Sequence, residues 1–445
     1  MGRAYFCAMS TQALPGFRDF YPDDLALRAY IFETWRKVAN RYGFEEYDGP
    51  PLEPLELYTA KSGDEIVGQL YTFIDKGDRR VALRPEMTPT LARMVAARAN
   101  GLKKPIRWFS IPQLFRYERQ QRGRLREHFQ LNCDLIGESS PLADAEIIAL
   151  AVDIMREFGL TDKQAYVRLS DRSVLEALLV NWKRVPAAKL PAAFSFLDRM
   201  EKLRKEDLDS FISDAEMFAP ATTGDVMDVG AITSREDLSA ALEQVENGQE
   251  VGAPLLAVLD ALDSMDLGSF IQLDMKVVRG LAYYTGVVFE LFNRGKTLRA
   301  ICGGGRYDSL TGALGGVNLP AVGFGFGDVV LGELLKEHDL IPKAEGSIDV
   351  FIAVITGDDI SHALRLAHTL RDAGYRVEYT LSGQAVPKQM KLADARNARV
   401  AIVIGPDDRA RGEVMLKDLS AKAQRGVPIE AIIPAVAAIV GEPPR

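Results

Sequence analysis

The sequence predicts a protein of mixed α and β structure, in which a helical segment interrupts the first domain and a smaller α/β domain ends the chain. Its 445 residues are too many for one ordinary core and suit two or three domains. Helical and strand-like segments alternate before residue 172 and return after residue 264, whereas residues 173–264 have helical periodicity throughout. From residue 348 onward, short apolar strands alternate with helices, which is typical of a parallel α/β domain.

The first element is a helix over residues 24–42. Apolar side chains recur at spacings of three and four at Ile31, Trp35, Val38 and Tyr42. We expect Asp23 or Asp24 to cap its start and Gly43 to end it. Two strands, Arg80–Arg84 and Ile106–Ile111, and an amphipathic helix, Pro141–Phe158, follow.

Strand-like sequence returns after the helical segment at Phe270–Val278 and Val287–Phe292. Beyond the polar stretch Lys336–Ser347, the predicted strands and helices are Val350–Ile355, Ser361–Ala373, Tyr375–Tyr379, Pro387–Ala395 and Val400–Ile404. The predicted domains are therefore residues 10–172 and 265–336 for two parts of one domain, 173–264 for a helical insertion and 348–445 for the last domain.

Composition excludes several classes of protein. The 47% hydrophobic and 26% charged residues are those of a globular protein, and no run approaches the ~20 apolar residues that span a membrane. The segment MGRAYFCAMS is too short and polar for a secretory signal, and Met9 is a possible natural start. Three scattered cysteines and four histidines predict neither disulfides nor a protein metal site, and fit a reducing cytoplasm. A net charge of −8 argues against a protein that coats nucleic acid, although local basic patches can still bind RNA.

A dense basic cluster lies in FRYERQQRGRLREHFQLNCDLIG, Phe115–Gly137. Apolar, strand-like sequence brackets it on both sides, which makes an ordinary solvated strand face a weak explanation. Gly123 permits a tight turn, so the segment predicts a hairpin whose guanidinium groups share one face. Arginine forks match phosphate oxygens, and Glu118 can accept a hydrogen bond from an adenine amino group.

The order F-R-x-E, loop and second arginine strand resembles motif 2 of the class II aminoacyl-tRNA synthetases. Two later segments, VVRGLAYYTGVVFE and AICGGGRYDSL, resemble the two histidine-specific motifs of the histidyl-tRNA synthetase family. Paired tyrosines are usually core residues and a glycine triplet is usually a turn. Because both segments follow the hairpin in the family's order, coincidence is a poor explanation of the match. The resemblance runs from Pro15 nearly to the end of the chain and is thinnest in the helical insertion.

The resemblance implies a catalytic domain with a six-stranded, antiparallel class II sheet flanked by helices, followed by an anticodon-binding domain. It implies that histidine and ATP form histidyl-adenylate, and that the histidyl group passes to tRNA(His). Two anions meet in the first step, so cations must neutralise the developing charge. Arg116 and Arg279 are the implied catalytic residues, and Mg²⁺ would bridge phosphate oxygens. The implied ATP-binding residues are Arg116, Glu118, Arg124, Arg126, Gly325 and Gly327.

The histidine substrate needs acceptors for its ammonium group and partners for both imidazole nitrogens. By match to the family motifs, Glu86, Thr88 and Gln130 would contact the ammonium group, while Asp134 and Tyr284 would contact the imidazole. A wrong side chain would leave these buried polar groups unpaired, which is a strong basis for selectivity. The remaining implied histidine-binding residues are Arg116, Arg279, Tyr283, Gly304 and Tyr307.

Contacts with tRNA are implied at two places. Arg119 and Gln121 lie in the motif 2 loop, where the family meets the acceptor stem. Lys388 and Gln389 lie on a predicted helix of the anticodon-binding domain, and a basic solvated helix face explains each lysine there nearly as well. The segment Tyr42–Tyr58 resembles motif 1, which implies a homodimer.

Three positions depart from the family pattern. Ala282 replaces an acid, and His128-Phe129 inverts the usual aromatic order, which leaves the residue that stacks on adenine open. Val330 replaces the arginine that binds the γ-phosphate in motif 3. A subgroup of the family that includes plastid-type enzymes resembles this chain in the segment Gly323–Leu335. This resemblance argues against simple inactivation.

Two other functions compete with the ligase. One is a non-catalytic paralogue resembling the regulatory subunit of ATP phosphoribosyltransferase, which characteristically lacks the C-terminal domain that this chain keeps. The other is an adaptor that binds an amino acid or RNA without catalysis, and Val330 is its best support.

Overall fold

The computed structural model describes residues 11–59, 67–119, 123–200, 217–278, 284–295, 298–309, 312, 317–342 and 348–443. The chain divides into two compact units, Met1–Ile341 and Pro342–Arg445. The division falls within the polar stretch Lys336–Ser347 that separates the predicted domains, and the helical insertion stays within the first unit. In the described part of the chain, no helix combines the length and apolar character needed to cross a bilayer.

The first unit contains helices that flank its sheets. They are α1 (Pro22–Arg41), α2 (Leu55–Thr59), α3 (Thr88–Arg98), α4 (Pro141–Glu157), α5 (Arg172–Ala177), α6 (Leu190–Met200), α7 (Thr223–Gly230), α8 (Arg235–Leu242), α9 (Gly248–Ser264) and α10 (Asp328–Glu337). Its strands are β1 (Glu45–Glu46), β2 (Leu52–Pro54), β3 (Thr72–Ile74), β4 (Arg80–Leu83), β5 (Ile106–Ser110), β6 (Gln113–Phe115), β7 (Glu127–Ile136), β8 (Ala165–Asp171), β9 (Ile271–Leu273), β10 (Val287–Asn293), β11 (Cys302–Arg306) and β12 (Ala321–Gly327).

The predicted antiparallel sheet forms the centre of this unit, in the order β1-β5-β7-β12-β11-β10-β8-β9 with β6 paired to β7. It has nine strands among the described residues instead of six, and its two edge pairs, β1 with β5 and β8 with β9, are parallel. Parallel neighbours need a long crossover connection. The helices of the insertion supply that crossover between β8 and β9, which the strand pattern alone did not reveal. A smaller sheet has the order β2-β4-β3.

One face of the large sheet packs on helices. Cys133 on β7, Phe324 on β12 and Phe289 on β10 are 0–4% exposed and belong to the main core with α1 and α4. The opposite face carries alternating glycines and polar side chains. Because side chains alternate across a strand, a site on that face has a rigid support behind it.

Helix α1 starts earlier than predicted and lacks the expected cap. Pro22 occupies the first helical turn after Tyr21, and Asp23 and Asp24 lie inside that turn without a capping hydrogen bond. A proline there costs little because its missing N–H would have no helical partner, and the acids suit the positive end of the helix dipole. The predicted strand Phe270–Val278 is also shorter, since the chain leaves the sheet after Leu273 in a turn closed by Val277 N–H on Asp274 O.

The second unit has a sheet of β13 (Val350–Val354), β14 (Val377–Tyr379), β15 (Val400–Ile404), β16 (Glu413–Asp418) and β17 (Ala423–Pro428). Its helices are α11 (Ile360–Asp372), α12 (Val386–Ala395), α13 (Pro406–Ala410) and α14 (Ile432–Val440). The first three strands are parallel as predicted, but β15, β16 and β17 pair antiparallel. The connection 405–412 is shorter than the dozen or so residues that a parallel crossover needs.

Candidate functional site

The polar face of the large sheet has a floor of glycine. Gly323 lies between Asp134 on β7 and Gly305 on β11 in the strand register. A Cβ atom at Gly323 would lie 2.1 Å from Asp134 Oδ1, and one at Gly325 would lie 2.6 Å from Gln130 Cδ. The side chains of Asp134 and Gln130 therefore extend over glycines, which leave them the space.

A cavity of about 770 Å³ opens above this floor. Arg116, Arg124 and Glu118 from the hairpin stand on one side, with Gln130 and Gly325 below them. The predicted ATP-binding residues Arg116, Glu118, Arg124, Gly325 and Gly327 thus line one cavity. A space of this size is ample for a nucleotide with a small substrate.

The predicted hairpin is formed by β6 and β7. Gly123 in its loop has φ +75°, and Arg122 of the predicted turn lies outside the described residues. Strands β6 and β7 pair up to Phe115 and Glu127, and Arg116 N donates to Arg126 O one residue further along. Arg119 and Arg124 lie in the loop beyond this bond. The Arg116 side chain is fixed by its Nε, which donates to Pro85 O at 2.9 Å, and Glu118 contacts Arg124 in an ion pair. The Arg116 guanidinium and the Glu118–Arg124 ion pair are thereby held at the cavity wall before any ligand binds.

Arg126, which was expected to bind phosphate, does not join the cavity walls. Its guanidinium lies 4.2 Å from the Tyr117 ring centroid, and its Nε donates to Glu118 O at 3.3 Å. Its aliphatic part packs on Gly16, where an added Cβ would lie 2.7 Å away. Arg126 fastens the hairpin to the N-terminal segment. Arg119 is exposed on the loop.

Asp134 is the central acid beside the cavity. It is 4% exposed, and its Oδ1 accepts a hydrogen bond from the hydroxyl of Tyr307. Burial raises the pKa of Asp134 to about 7, and the Tyr307 hydrogen bond offsets part of that rise. The carboxyl group therefore titrates near neutrality, as expected for a buried group whose charged form is only partly stabilised by hydrogen bonding.

Tyr284 and helix α3 share a buried cluster with Tyr307, the hydrogen-bond partner of Asp134. Tyr284 packs against Gly305, where an added Cβ would meet its Cδ1 at 2.9 Å, and it shares a buried cluster with Tyr307 and Leu91. Leu91 belongs to α3, so this cluster places the first turns of that helix near Tyr307. Thr88, the first residue of α3, is half-buried, and Glu86, two residues before it, is buried. Gly304 faces the core, because its Cβ would meet Phe289 and Phe324. Only its backbone is available to the polar face.

Arg279, Tyr283 and Gln121 lie outside the described residues. Their predicted roles stay predictions.

Alternation along strand β7 turns His128 and Phe129 to opposite faces. His128 lines the cavity with Gln130, whereas Phe129 points to the opposite side and packs on Phe20 and Phe32 with ring centroids 6.1 and 5.2 Å away. Burial, and then the charges of Arg116, Arg18 and Arg124, lower the pKa of His128 to about 3. Its ring is neutral at physiological pH and can stack on a base.

Val330 stands on the first turn of α10 and is 7% exposed. It lines the same cavity as His128, and a Cβ at Gly123 would lie 3.3 Å from its Cγ2. The position expected to carry a guanidinium thus provides an apolar wall against the hairpin loop.

The far half of the cavity was missed by the sequence analysis. Glu290 on β10 lies opposite Gly303 on β11 and Arg168 on β8, so all three face the cavity. Arg168 pairs with Asp274 at 2.7 Å. The remaining charged residues of this half are Lys276, Arg299 and Asp198. The alternation in VVFEL, with one acid in an apolar strand, was the available signal for Glu290.

In the second unit, Lys388 and Gln389 differ in exposure. Lys388 is exposed on α12, but Gln389 is 1% exposed. The Gln389 amide donates to Val354 O at 2.8 Å and to Gln384 O at 2.6 Å, and accepts from Val354 N at 3.0 Å. This corrects the expectation of an RNA contact, because the amide is used inside the domain.

No group of three or more histidine, cysteine or acidic side chains suited to a metal ion occurs among the residues that the structure describes.

Comparison with known proteins extends these observations. Residues 16–327 match the family model described as Histidyl-tRNA synthetase, and residues 349–439 match the Anticodon binding domain. A histidine–tRNA ligase from Opitutus terrae is 46% identical over 434 residues, covering 95% of this chain and 97% of that protein. The chloroplastic/mitochondrial histidine–tRNA ligase of Arabidopsis thaliana is 39% identical, covering 92% and 83%. A crystal structure of histidyl-tRNA synthetase from a Nostoc strain has the same fold, with a TM-score of 0.79, 24% identity and coverage of 97% and 99%.

Proposed function

The chain belongs to the histidyl-tRNA synthetase family, and on that premise we propose that it activates histidine with ATP and transfers it to tRNA(His). In the first step, a carboxylate oxygen of histidine attacks the α-phosphorus of ATP and pyrophosphate leaves. In the second, a ribose hydroxyl at the 3′ end of the tRNA attacks the carbonyl carbon and AMP leaves. One observation carries this proposal. The cavity lined by Arg116 and Arg124 lies next to the hydrogen-bonded pair of Asp134 and Tyr307, with the glycines Gly323 and Gly325 between them.

The adenine of ATP would enter the slot between His128 and Val330. The neutral His128 ring would stack on the base, and the Glu118 carboxylate, held by Arg124, would accept from the adenine amino group. Gly325 and Gly327 let the nucleotide approach the backbone closely.

The phosphates would meet Arg116 and Arg124. Arg116 would neutralise the α-phosphate, where charge develops in the transition state, and Arg124 would hold the departing pyrophosphate. Arg126 is left out of this assignment because it fastens the hairpin. Arg279 would approach from the other side, as the family resemblance implies. Positioning supplies much of the rate enhancement, since the substrate carboxylate arrives already ionised.

Histidine would lie beside the ATP cavity. Asp134 in its ionised form would accept from an imidazole N–H, and Tyr284 would face the other nitrogen. Glu86, Thr88 and Gln130 would receive the ammonium group, while Tyr307 orients Asp134. Two buried acids and an amide select a substrate with matching donors.

Glu290 in the far half of the same cavity would provide a carboxylate for Mg²⁺. Mg²⁺ is usually held by one or two carboxylates together with substrate phosphates, and when bound it would neutralise phosphate charge. The cations Lys276 and Arg299 on the neighbouring wall suit the phosphates of the tRNA terminus. Arg119, and Lys388 in the second unit, are the exposed candidates for further tRNA contacts. We place the enzyme in the cytoplasm as a homodimer, as the family resemblance implies.

Histidine-dependent exchange of labelled pyrophosphate into ATP tests the activity directly. We expect exchange that requires histidine, and Arg279→Ala should reduce it severely while leaving the fold intact. Folded protein without exchange would refute the ligase and favour a non-catalytic paralogue. That alternative is not favoured, because the chain keeps the anticodon-binding domain and matches ligases over nearly its full length.

A further inference from the structure

Arg18 lies behind the slot that we assign to adenine. Its Nε donates to Glu127 Oε1 at 2.6 Å, and its Nη1 lies 2.9 Å from Asp328 Oδ2. It lines a second cavity of about 360 Å³ that shares Gly123, Leu125 and Val329 with the first. One guanidinium thus contacts two elements that bound the slot.

The two carboxylates are next to the slot walls in the chain. Glu127 immediately precedes His128, and Asp328 lies two residues before Val330 at the start of α10. Asp328 Oδ1 also accepts from Phe129 N at 2.9 Å. Arg18 and Asp328 therefore cross-link strand β7 and helix α10 on both sides of His128.

The charges make this link sensitive to loss of Arg18. Glu127 and Asp328 are 1% and 5% exposed, and Gln113 Nε2 donates to Glu127 Oε2 at 3.0 Å. Without the guanidinium, two buried carboxylates would face each other with no cation between them. The repulsion between them would be relieved by separation of β7 and α10 or by protonation of Asp328, whose pKa burial already raises. Either change alters the spacing between β7 and α10.

The segment before Arg18 is itself fastened to the hairpin. Gly16 O accepts from Arg126 N at 3.0 Å and from Glu127 N at 3.3 Å. Gly16 has φ +88°, a conformation that side chains other than glycine rarely adopt. The Phe17 ring lies 6.3 Å from that of Phe115. These contacts fix the backbone just before Arg18 and so position its side chain against Glu127 and Asp328.

Stability alone is a poor explanation of this arrangement. Arg18 Nη2 is buried and has no hydrogen-bond partner among the described residues, which costs free energy. A buried ion cluster is often no more stabilising than an apolar replacement of similar volume. A role in setting geometry accounts for its presence better.

We propose that Arg18 is a positioning residue for ATP: it sets the distance between the His128 and Val330 walls by bridging Glu127 and Asp328. This inference rests on the proposed function for the identity of the nucleotide. The proposed role of Arg18 also explains how the slot can work although Val330 supplies no cation. Arg18 aligns the two walls of the slot from the side away from the nucleotide.

The test measures ATP and histidine dissociation constants by calorimetry, and both KM values by pyrophosphate exchange, with full-length protein well below its unfolding temperature. Arg18→Gln removes the charge, and Arg18→Lys restores it without the two-pronged geometry. Arg28→Gln is the matched control. Arg28 lies 4.2 Å from the Phe20 ring and 4.9 Å from that of Phe129, but bridges neither acid.

We expect Arg18→Gln to weaken ATP binding and to lower kcat/KM for ATP by up to about 100-fold, the loss that a misplacement near 1 Å can cause. Histidine binding should change no more than about twofold, as should ATP binding to Arg28→Gln. Arg18→Lys should fall between Arg18→Gln and wild type. Equal loss of ATP and histidine affinity, or a lower unfolding temperature with unchanged ATP affinity, would overturn the inference. Wild-type protein that binds ATP without exchange would refute the ligase alone, and wild type that binds no ATP would refute both.

Discussion

The hydroxyl of Tyr307 donates a hydrogen bond to Oδ1 of Asp134, joining two residues that are 173 positions apart in the chain. Tyr307 leaves strand β11 at the end of the glycine run, and Asp134 lies on β7 two strands away. The bond is buried, so it controls both the orientation and the ionisation of the carboxyl group.

Tyr307→Phe should shift the pH dependence of histidine use upward. Burial raises the pKa of Asp134 to about 7, and the Tyr307 hydroxyl lowers it by favouring the carboxylate. Since the ionised form accepts the imidazole N–H, kcat/KM for histidine should rise with pH through about 7 in the wild type. Without the hydroxyl, that rise should occur at higher pH. The measurement is pyrophosphate exchange between about pH 5.5 and 9.

The titration of the substrate's own imidazole affects both enzymes equally, so the displacement between the two profiles isolates Asp134. Profiles that superimpose would show that Asp134 does not control histidine binding through its charge.

Gly323→Ala should impair histidine binding more than ATP binding. The new Cβ would lie 2.1 Å from Asp134 Oδ1 and 2.7 Å from the carbonyl oxygen of Cys133. The backbone atom cannot yield easily, so the Asp134 carboxyl must move. We expect KM for histidine to rise and kcat/KM for histidine to fall by up to about 100-fold, the loss that a misplacement near 1 Å can cause. Gly332→Ala is the control, because its nearest neighbour would be 4.0 Å away. A histidine KM that stayed at the wild-type value would contradict the glycine floor as we describe it.

His128→Ala should weaken ATP binding, whereas His128→Phe should preserve it. Stacking of a base on an aromatic ring is worth about 1–3 kcal/mol, which corresponds to at least a several-fold rise in ATP KM. The pKa of His128 is about 3, so the ring is neutral and phenylalanine is a fair substitute at neutral pH. Phe129→Leu, on the other face of the same strand, should leave ATP KM near wild type. Equal ATP KM values for His128→Ala and wild type would place the base elsewhere.

Arg306→Ala should destabilise the first unit without acting on a substrate directly. Arg306 Nη2 lies 2.7 Å from Asp144 Oδ2, and the two side chains are 9% and 4% exposed. Removing one partner of a buried pair typically costs about 3–5 kcal/mol. Urea unfolding followed by tryptophan fluorescence reports this unit, because Trp35, Trp108 and Trp182 all lie in it.

Arg36→Ala is the matched control for that experiment. Its pair with Glu46 is 42% and 43% exposed and should contribute about 0–1 kcal/mol. If the two variants lost similar free energies of unfolding, the buried pair of Arg306 and Asp144 would contribute no more stability than the exposed pair.

Local sequence was sufficient for features that depend on neighbours in the chain. The spacing of Ile31, Trp35 and Val38 predicted the buried face of α1. The bounds of β15, Val400–Ile404, were predicted to the residue, because a short apolar run between turn signals leaves little choice. The hairpin arginines Arg116 and Arg124 were assigned to one site, and the structure brings them into one cavity.

What the sequence by itself determined, then, is which segments form helices and strands, and which side chains have the chemistry for phosphate and imidazole. Only the tertiary structure decided which of them face the site. His128 and Phe129 are equivalent as neighbours in a strand, but in the fold His128 lines the cavity whereas Phe129 packs on Phe32 on the other face. Arg18, Arg126 and Gln389 have polar groups suited to ligands, yet each meets partners inside the fold. The physical reason is that alternation along a strand follows from covalent geometry, whereas the buried face and the partner of a charge depend on contacts between distant segments.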